Sequence, residues 1–244
     1  MFLKDNFSEV HLLFSEPVNC ALYKDEKESI LLARFIVKLP TIRDLYFNTD
    51  VMFTLSILKQ TIADLNKHFN LNFEFTSHLH FIQSLITFKE QNIAIANCVS
   101  QIVLGLQFLC SDINISQNQL TIKNREVNDQ IFERLRDMWL ISIDAKTFSK
   151  AYQYMSPEER KLEEKIQSIK NKGKNKNDNN SFEKIYITLT YEFNYSRNEI
   201  LEMTMYAIKT ILKYTSKSIN YKLTLMAKAY GNTKKVRFIT DKGE

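Results

Sequence analysis

The sequence predicts an α+β fold that is predominantly α-helical, and three observations support this prediction. Glycine is scarce, with four residues in a chain of 244, whereas all-β sandwiches use many turn glycines. Apolar residues make up 44% of the chain, which is enough to form a core. Apolar positions recur at helical intervals over most of the sequence, and only a few short runs have the character of strands.

Three parts follow one another along the predicted chain. Residues 1–155 form a mixed domain with short strands and a hairpin, residues 156–181 a charged helix and a flexible linker, and residues 182–244 a small all-helical module. The linker rests on the run NKGKNKNDNN, which has no apolar residue and therefore cannot contribute to a core. Before it, the segment Ser156-Pro157-Glu158-Glu159 has the cap, proline and acidic residue of a helix start.

The first 70 residues predict strands followed by helices. The apolar runs EVHLLF (9–14) and ESILLARFIVKLP (28–40) favour strands, and the second ends at Pro40. Thr41 then begins a short helix, TIRDLY. One long amphipathic helix is predicted across DVMFTLSILKQTIADLNKHF (50–69), because its apolar residues lie at helical intervals: Val51, Leu55, Leu58, Ile62 and Leu65.

The next segment predicts two helical stretches, then a hairpin, then a further helix. NLNFEFTSHLHFIQSL (70–85) alternates at first and then becomes helical in character, and residues 92–106 form a helix. INISQNQLTIKN (113–124) predicts a hairpin with its turn at Gln117-Asn118. Asn128 can cap the helix that follows, whose apolar residues are spaced at i, i+4 and i+8: Ile131, Leu135 and Trp139.

The segment Gln91–Ser111 carries no charge and is long enough to span a bilayer. It contains polar side chains that are costly in hydrocarbon, among them Gln91, Asn92, Asn97, Ser100, Gln101 and Gln107. We therefore predict a buried core helix rather than a membrane span. The first ten residues, MFLKDNFSEV, lack the basic region and apolar core of a secretion signal.

The C-terminal module begins with FEKIYITLTYEF (182–193), which fits either a strand or a helix. Ser196 and Glu199 then have the spacing of a capping box, and Tyr195 and Ile200 occupy the positions of a hydrophobic staple. Thr204 can start a further helix. A last helix is predicted over residues 220–230, ended by Gly231.

The sequence gives no positive sign of catalysis, a cofactor or a metal. The three cysteines, Cys20, Cys98 and Cys110, are far apart, which favours reduced thiols in the cytoplasm. His78 and His80 are the nearest approach to a metal pair, but no further ligand stands at a characteristic spacing. We interpret them as structural or surface histidines and expect a protein that is not an enzyme.

Charge is distributed unevenly along the chain. Residues 1–164 carry 17 basic and 21 acidic side chains, a net charge of −4, whereas residues 165–244 carry 16 basic and 7 acidic, a net charge of +9. The C-terminal third can therefore attract an acidic protein or a nucleic acid. Lys outnumbers Arg 25 to 8, which weakens the nucleic-acid interpretation because base and phosphate recognition favours Arg.

Methionine and tyrosine cluster near the start of the last helices, and two interpretations stay open. The cluster is either the core of a small helical module or a docking surface, because Met side chains adapt to varied apolar partners. On the second interpretation we predict that seven residues bind a partner protein: Tyr195, Ile200, Met203, Met205, Tyr206, Ile208 and Ile211.

Four segments together resemble a known family. YSRNEILEMTMYAIKTIL (195–212) resembles the C-terminal module of bacteriophage tail assembly chaperones, and YKLTLMAKAYGNTKK (221–235) is similar to the way those modules end. VKLPTIRDLY (37–46) and LTIKNREVNDQIFERLRDMWLI (120–141) resemble the long forms found in large AT-rich phages.

The resemblance implies a non-enzymatic role in virion morphogenesis, in the host cytoplasm. Such chaperones bind the long, apolar tape-measure protein until tail-tube subunits polymerise around it, and the basic C-terminal third would help to recruit those subunits. Self-association is also open, and no membrane contact is expected. Two other functions remain as alternatives: a structural tail or baseplate protein of the virion, and a nucleic-acid-binding protein that uses the basic C-terminal third.

Overall fold

A computed structural model describes residues 1–28, 30–69, 74–90, 92–116, 118–146 and 182–229. The predicted fold class is confirmed: the chain is α+β and mostly helical, with two small antiparallel sheets. It divides into two compact units, one of Met1–Thr147 with Asn198–Ala207 and the other of Phe148–Arg197 with Ile208–Glu244. The predicted helix at Ser156 and the linker at 171–180 lie outside the described residues.

The first sheet contains strands β1 (Phe2–Asp5), β2 (Val18–Tyr23) and β3 (Leu31–Val37), which pair antiparallel in that order. β2 buries alternate residues, as a strand with one face on the core must. Between β1 and β2 the chain forms helix α1 (Glu9–Phe14), so the strand predicted for EVHLLF is wrong. Ser15, with a left-handed φ of 55°, ends this helix.

Two helices replace the single one predicted across residues 50–69. After α2 (Ile42–Phe47), the short helix predicted from Thr41, come α3 (Thr49–Lys59) and α4 (Ile62–Phe69). Gln60 adopts an extended conformation with ψ of 152° and interrupts the helical backbone. The Gln60 carbonyl instead accepts a hydrogen bond from the buried side chain of His78 (3.0 Å). A tertiary contact therefore fixes the break.

Helices α5 (His78–Phe88), α6 (Ile93–Leu109) and α7 (Asp129–Ser142) complete the helical part of this unit, together with strands β4 (Ile113–Ser116), β5 (Gln119–Ile122) and β6 (Arg125–Glu126). The predicted hairpin is confirmed, with Ile113 opposite Ile122 and Ile115 opposite Leu120. The predicted cap is confirmed as well, because the Asn128 side chain accepts a hydrogen bond from the backbone N–H of Ile131 (2.9 Å).

The core of the first unit lies among α3, α5, α6 and α7. Its largest fully buried side chains include Phe81, Phe132 and Trp139. One face of α6 is buried, in agreement with the predicted core helix, and among the described residues no helix is long and apolar enough to cross a membrane.

In the remainder of the described chain, α8 (Phe182–Phe193) resolves the ambiguous segment as a helix. It is followed by α9 (Arg197–Glu202), which begins directly after the predicted cap Ser196, and α10 (Met205–Ala229). The two last helices predicted from the sequence are thus one continuous helix. Gly231 lies outside the described residues.

Gly105 allows α3 and α6 to approach closely, and this gives a testable prediction. A Cβ atom at this position would meet the Thr54 hydroxyl and would lie 2.6 Å from the Asp50 carbonyl oxygen. We expect Gly105→Ala to lower the free energy of unfolding by about 1–3 kcal/mol, because overpacking outweighs a gain in helix propensity of at most ~1 kcal/mol.

Urea denaturation measures this change, with Ser100→Ala on the exposed side of the same helix as the control. The control is expected to stay within about 0.5 kcal/mol of the original protein. A Gly105→Ala variant that is as stable as the original protein would contradict the close approach.

Candidate partner-binding surface

Residues 198–207, here called the anchor segment, pack with the N-terminal unit although they are distant from it in sequence. The predicted module of 182–244 thus contributes ten residues to the first unit. The anchor segment lies against α1 and α2, the two helices that begin at Glu9 and Ile42. Its contacts involve the ends of both helices.

Thr204 fixes the anchor segment to the end of α1. Its hydroxyl donates a hydrogen bond to the Leu12 carbonyl (2.6 Å), and its backbone N–H donates to the Ser15 hydroxyl (3.1 Å). The carbonyls in the last turn of a helix have no partner within the helix, and Thr204 supplies one. The same hydroxyl accepts a hydrogen bond from the backbone N–H of Ala207 (3.1 Å) and so caps α10, as predicted for Thr204.

Met203 makes the corresponding contact at the beginning of α2. Its carbonyl accepts a hydrogen bond from the backbone N–H of Ile42 (2.8 Å), which belongs to the first turn of α2 and has no partner within that helix. Two side-chain contacts accompany it: Arg43 pairs with Glu202 (2.6 Å), and the Tyr206 hydroxyl donates to the Glu9 carboxylate (2.9 Å). The Arg43–Glu202 pair is exposed and contributes little to stability.

The seven predicted partner-binding residues do not share one exposed face. Ile200 and Ile208 have 0% of their surface exposed and belong to the core. The short helix α9 has few apolar residues and buries Ile200 to hold its position, which explains why this side chain is unavailable. The other five are partly exposed: Tyr195, Met203, Met205, Tyr206 and Ile211.

Three of those five, Met203, Met205 and Tyr206, lie in the anchor segment, and the helices that hold the segment add exposed apolar side chains. Val10 and Phe14 on α1 are 52% and 70% exposed, and Tyr46 and Phe47 on α2 are 55% and 65% exposed. We call these seven residues the anchor surface: Val10, Phe14, Tyr46, Phe47, Met203, Met205 and Tyr206. The sequence pattern missed the α1 part, because that run was interpreted as a strand.

His78 and His80 diverge on α5 and each has a structural role. The ring of His78 bridges the Glu133 carboxylate and the Gln60 carbonyl, both at 3.0 Å, whereas the ring of His80 contacts Thr76 at 3.1 Å. Among the described residues no group of three His, Cys, Asp or Glu side chains could hold a metal ion.

Glu133 stabilises the break between α3 and α4 through its contacts with His78 and Arg136. Burial opposes its ionisation, but hydrogen bonds and charge interactions with His78 and Arg136 outweigh burial and hold its pKa below the ordinary value. Arg136 in turn donates to the Leu58 carbonyl (2.8 Å) at the end of α3. In this cluster His78 is buried and Glu133 and Arg136 are partly exposed, and all three side chains are paired in contacts that support the fold.

The three cysteines are free, and their surroundings do not activate them. Burial raises the pKa of Cys20 far above its ordinary value, raises that of Cys110 to about 11, and also raises that of Cys98. A thiol with a raised pKa is protonated at neutral pH and is a poor nucleophile.

The first unit also has an open groove of about 740 Å³ beside the β1–β2–β3 sheet. Charged side chains line it, but several are already in ion pairs: Lys4 with Glu28 (2.8 Å), Lys123 with Asp112 (2.5 Å) and Asp5 with Arg134 (2.8 Å). In each of these pairs the opposite charges neutralise one another.

Comparison with known proteins found no matching family model, no matching curated protein and no matching solved structure.

The hydroxyl of Thr204 gives a prediction for the stability of the first unit. Thr204→Val keeps the shape of the side chain but leaves the Leu12 carbonyl and the Ala207 N–H without this partner. We expect it to lower the free energy of unfolding by about 1–3 kcal/mol, because buried polar groups are then left unsatisfied. Fluorescence of Trp139, the single tryptophan and fully buried, reports the urea transition.

Thr204→Ser is the matched control, because it retains the hydroxyl and loses one methyl group. We expect it to remain within about 1 kcal/mol of the original protein. Equal transitions for Thr204→Val and the original protein would contradict the role assigned to this hydrogen bond.

Proposed function

We propose that the chain is a non-catalytic tail assembly chaperone that binds the tape-measure protein of its phage. The observation that carries this proposal is the anchor surface, in which the two helices that hydrogen-bond the methionine-containing turn also carry exposed aromatic and aliphatic side chains. Exposed apolar clusters in a folded protein commonly mark sites of protein–protein contact. The resemblance of residues 195–212 to the C-terminal module of such chaperones supplies the identity of the partner.

The partner's chemistry fits this surface. A tape-measure protein is a long helical chain whose apolar face aggregates unless it is covered before assembly. Aromatic residues provide large contact areas, and methionine adapts to irregular apolar surfaces, so a surface that combines the two can bind helices of varied sequence. On this proposal the chain acts in the host cytoplasm, masks the apolar face, and releases it as tail-tube subunits polymerise.

Hydrogen bonds to both α1 and α2 hold the anchor segment in a defined conformation. The anchor segment is held by hydrogen bonds to Leu12, Ser15 and Ile42, all of which lie on or next to the helices that carry the exposed aromatic residues. A surface that is already ordered loses less conformational entropy when it binds. This favours binding without a prior folding step.

A second candidate function, nucleic-acid binding, is favoured by one observation. Lys209, Lys213 and Lys217 are exposed and succeed one another at intervals of four along α10, so they form a row on one face of the helix. Such a row matches the phosphates of a nucleic acid, and it matches the acidic face of a tube subunit equally well.

The chaperone proposal predicts the effect of charges on the anchor surface. We expect co-expression with this chain to raise several-fold the soluble fraction of a tape-measure fragment encoded by the same phage. Phe14→Asp/Phe47→Asp is expected to abolish most of the gain, because truncating central aromatic contacts costs about 2 kcal/mol each. Soluble and pelleted fragments are measured by gel densitometry.

Ile30→Asp, at an exposed position on the β2–β3 connection, is the control and should retain the gain. Circular dichroism checks that each variant folds. The proposal fails if the original chain does not raise the soluble fraction, or if the control variant loses as much activity as the double variant. Mass spectrometry of purified virions separates this function from that of a structural tail protein, which would be present at stoichiometric amounts.

The nucleic-acid candidate predicts a salt-dependent gel shift. If the lysine row binds phosphates, Lys209→Glu/Lys213→Glu/Lys217→Glu should reduce the slope of log K against log salt concentration by about 2–3, because each phosphate contact contributes ~0.7–0.9. The control variant replaces three exposed lysines outside the row by Glu: Lys24, Lys27 and Lys67. Equal effects of the two triple variants, or no shift of either DNA or RNA, would exclude this function for the row.

A further inference from the structure

Strand β3 is an outer strand of the first sheet, and one of its two edges has no neighbouring strand. The sheet has the order β1–β2–β3, so β3 pairs with β2 alone. The opposite edge of the sheet is different, because β1 is bonded to α7 and its cap. The Asp5 carboxylate accepts two hydrogen bonds from Arg134 (2.8 and 2.9 Å), and the Asn128 side chain donates to the Met1 carbonyl (3.0 Å).

The hydrogen bonds of β2 show which backbone groups of β3 face the free edge. The Asn19 carbonyl accepts a hydrogen bond from the N–H of the residue that follows β1 (3.4 Å), so the backbone groups of Asn19 face β1. Successive residues of an antiparallel strand direct their N–H and C=O groups to opposite sides, so those of Cys20 face β3. Its partner on β3 is Phe35. The N–H and C=O groups of Arg34 and Ile36 therefore point away from β2.

The length of the open edge is limited on both sides. The Lys38 N–H faces outward in the same alternation, but it already donates to the Leu109 carbonyl at the end of α6 (2.7 Å). Towards the beginning of β3, the pairing with β2 becomes irregular opposite Tyr23. Between these points the backbone groups of Arg34 and Ile36 that face outward have no partner within the described part of the chain. An added strand of about five residues, roughly 17 Å long, matches this opening.

The side chains at the open edge indicate the chemistry of the strand that fits it. Ile36 is 54% exposed, and the exposed side chain of Arg34 lines the groove beside the sheet. The other charged side chains that line this groove are in ion pairs, whereas Arg34 has no acidic partner among the described residues. Directly opposite residues of an antiparallel pair have Cβ atoms about 5 Å apart on the same face. An apolar residue opposite Ile36 and a carboxylate opposite Arg34 therefore complement the edge.

We propose that β3 binds an extended acidic segment of a partner protein, which adds a fourth, antiparallel strand to the first sheet. The segment has an apolar residue opposite Ile36 and, two positions later, an Asp or Glu opposite Arg34. In this mode of binding the backbone hydrogen bonds provide affinity and alternate side chains provide specificity. A second copy of β3 fits less well, because LLARFIV contains no acidic residue that could neutralise Arg34. The edge shares no residue with the anchor surface.

Nuclear magnetic resonance of the full chain tests strand addition with the peptide Thr-Val-Thr-Glu-Thr, blocked at both ends. In the proposed register its valine lies opposite Ile36 and its glutamate opposite Arg34, so the amide resonances of these two residues should shift and saturate. Methylation of the valine nitrogen should weaken binding about tenfold, because it removes a hydrogen bond to the edge. Methylation of the central threonine nitrogen is the matched control and should leave the affinity nearly unchanged, because this N–H points away from β3.

An exchange of charges tests the acidic preference. The original protein should bind the glutamate peptide several-fold more tightly than Thr-Val-Thr-Lys-Thr, and Arg34→Glu should reverse this order, since opposite charges across two strands attract. Binding of the lysine peptide also shows that the variant is folded. The proposal is overturned if neither peptide shifts the resonances of Arg34 and Ile36, if both methylated peptides bind equally well, or if the original protein does not distinguish the two charges. Shifts that depend on protein concentration without peptide would place a second copy at the edge and would also overturn it.

Discussion

The unsatisfied backbone groups at the ends of two short helices are the constraint on which the first unit depends. α1 and α2 each have six residues, so most of their carbonyls or N–H groups cannot be paired within the helix. Residues 203 and 204 satisfy one group at the end of α1 and one at the beginning of α2. Two helices that would be unstable in isolation are thereby held in place by a turn nearly two hundred residues from α1.

Local signals explain which elements could be predicted. The α2 and α7 helices begin at Thr41 and Asn128, whose side chains bond to backbone groups three residues ahead, so the sequence alone contains the whole instruction. The hairpin is similarly local, since alternation and turn residues lie within twelve positions. The predictions of secondary structure are wrong where a contact with a residue distant in sequence determines the backbone conformation. EVHLLF is helical because the Thr204 hydroxyl donates a hydrogen bond to a carbonyl in its last turn. The single helix predicted over 50–69 is interrupted because the His78 side chain donates a hydrogen bond to the Gln60 carbonyl.

The candidate site was predictable only in part, for the same reason. Methionine and tyrosine near residue 205 were identified from composition and spacing, but a pattern cannot tell whether Ile200 faces inward or outward when the helix is only six residues long. Nor does any local signal connect Phe14 or Phe47 to residues 203–206. The exposed character of α6 was also hidden, because an uncharged segment of this length normally indicates a fully buried helix. Both sides of α6 carry apolar residues, and only the tertiary structure shows which side is exposed: Val99, Ile102 and Leu106 are buried, and Leu104 is not.

The return of residues 198–207 to the N-terminal unit has a consequence for biosynthesis. A ribosome adds roughly 5–20 residues per second, so roughly ten to thirty seconds separate the appearance of Ile42 from that of Met203. During this interval the nascent chain lacks residues 203 and 204, which hydrogen-bond the ends of α1 and α2. The aromatic side chains of the two helices are therefore synthesised before the hydrogen bonds that hold these helices in place can form. Any shortened translation product that stops before residue 198 would keep this unfinished state permanently. Such a product would then differ from the full-length chain in how well its N-terminal surface is ordered, as well as in its C-terminal sequence.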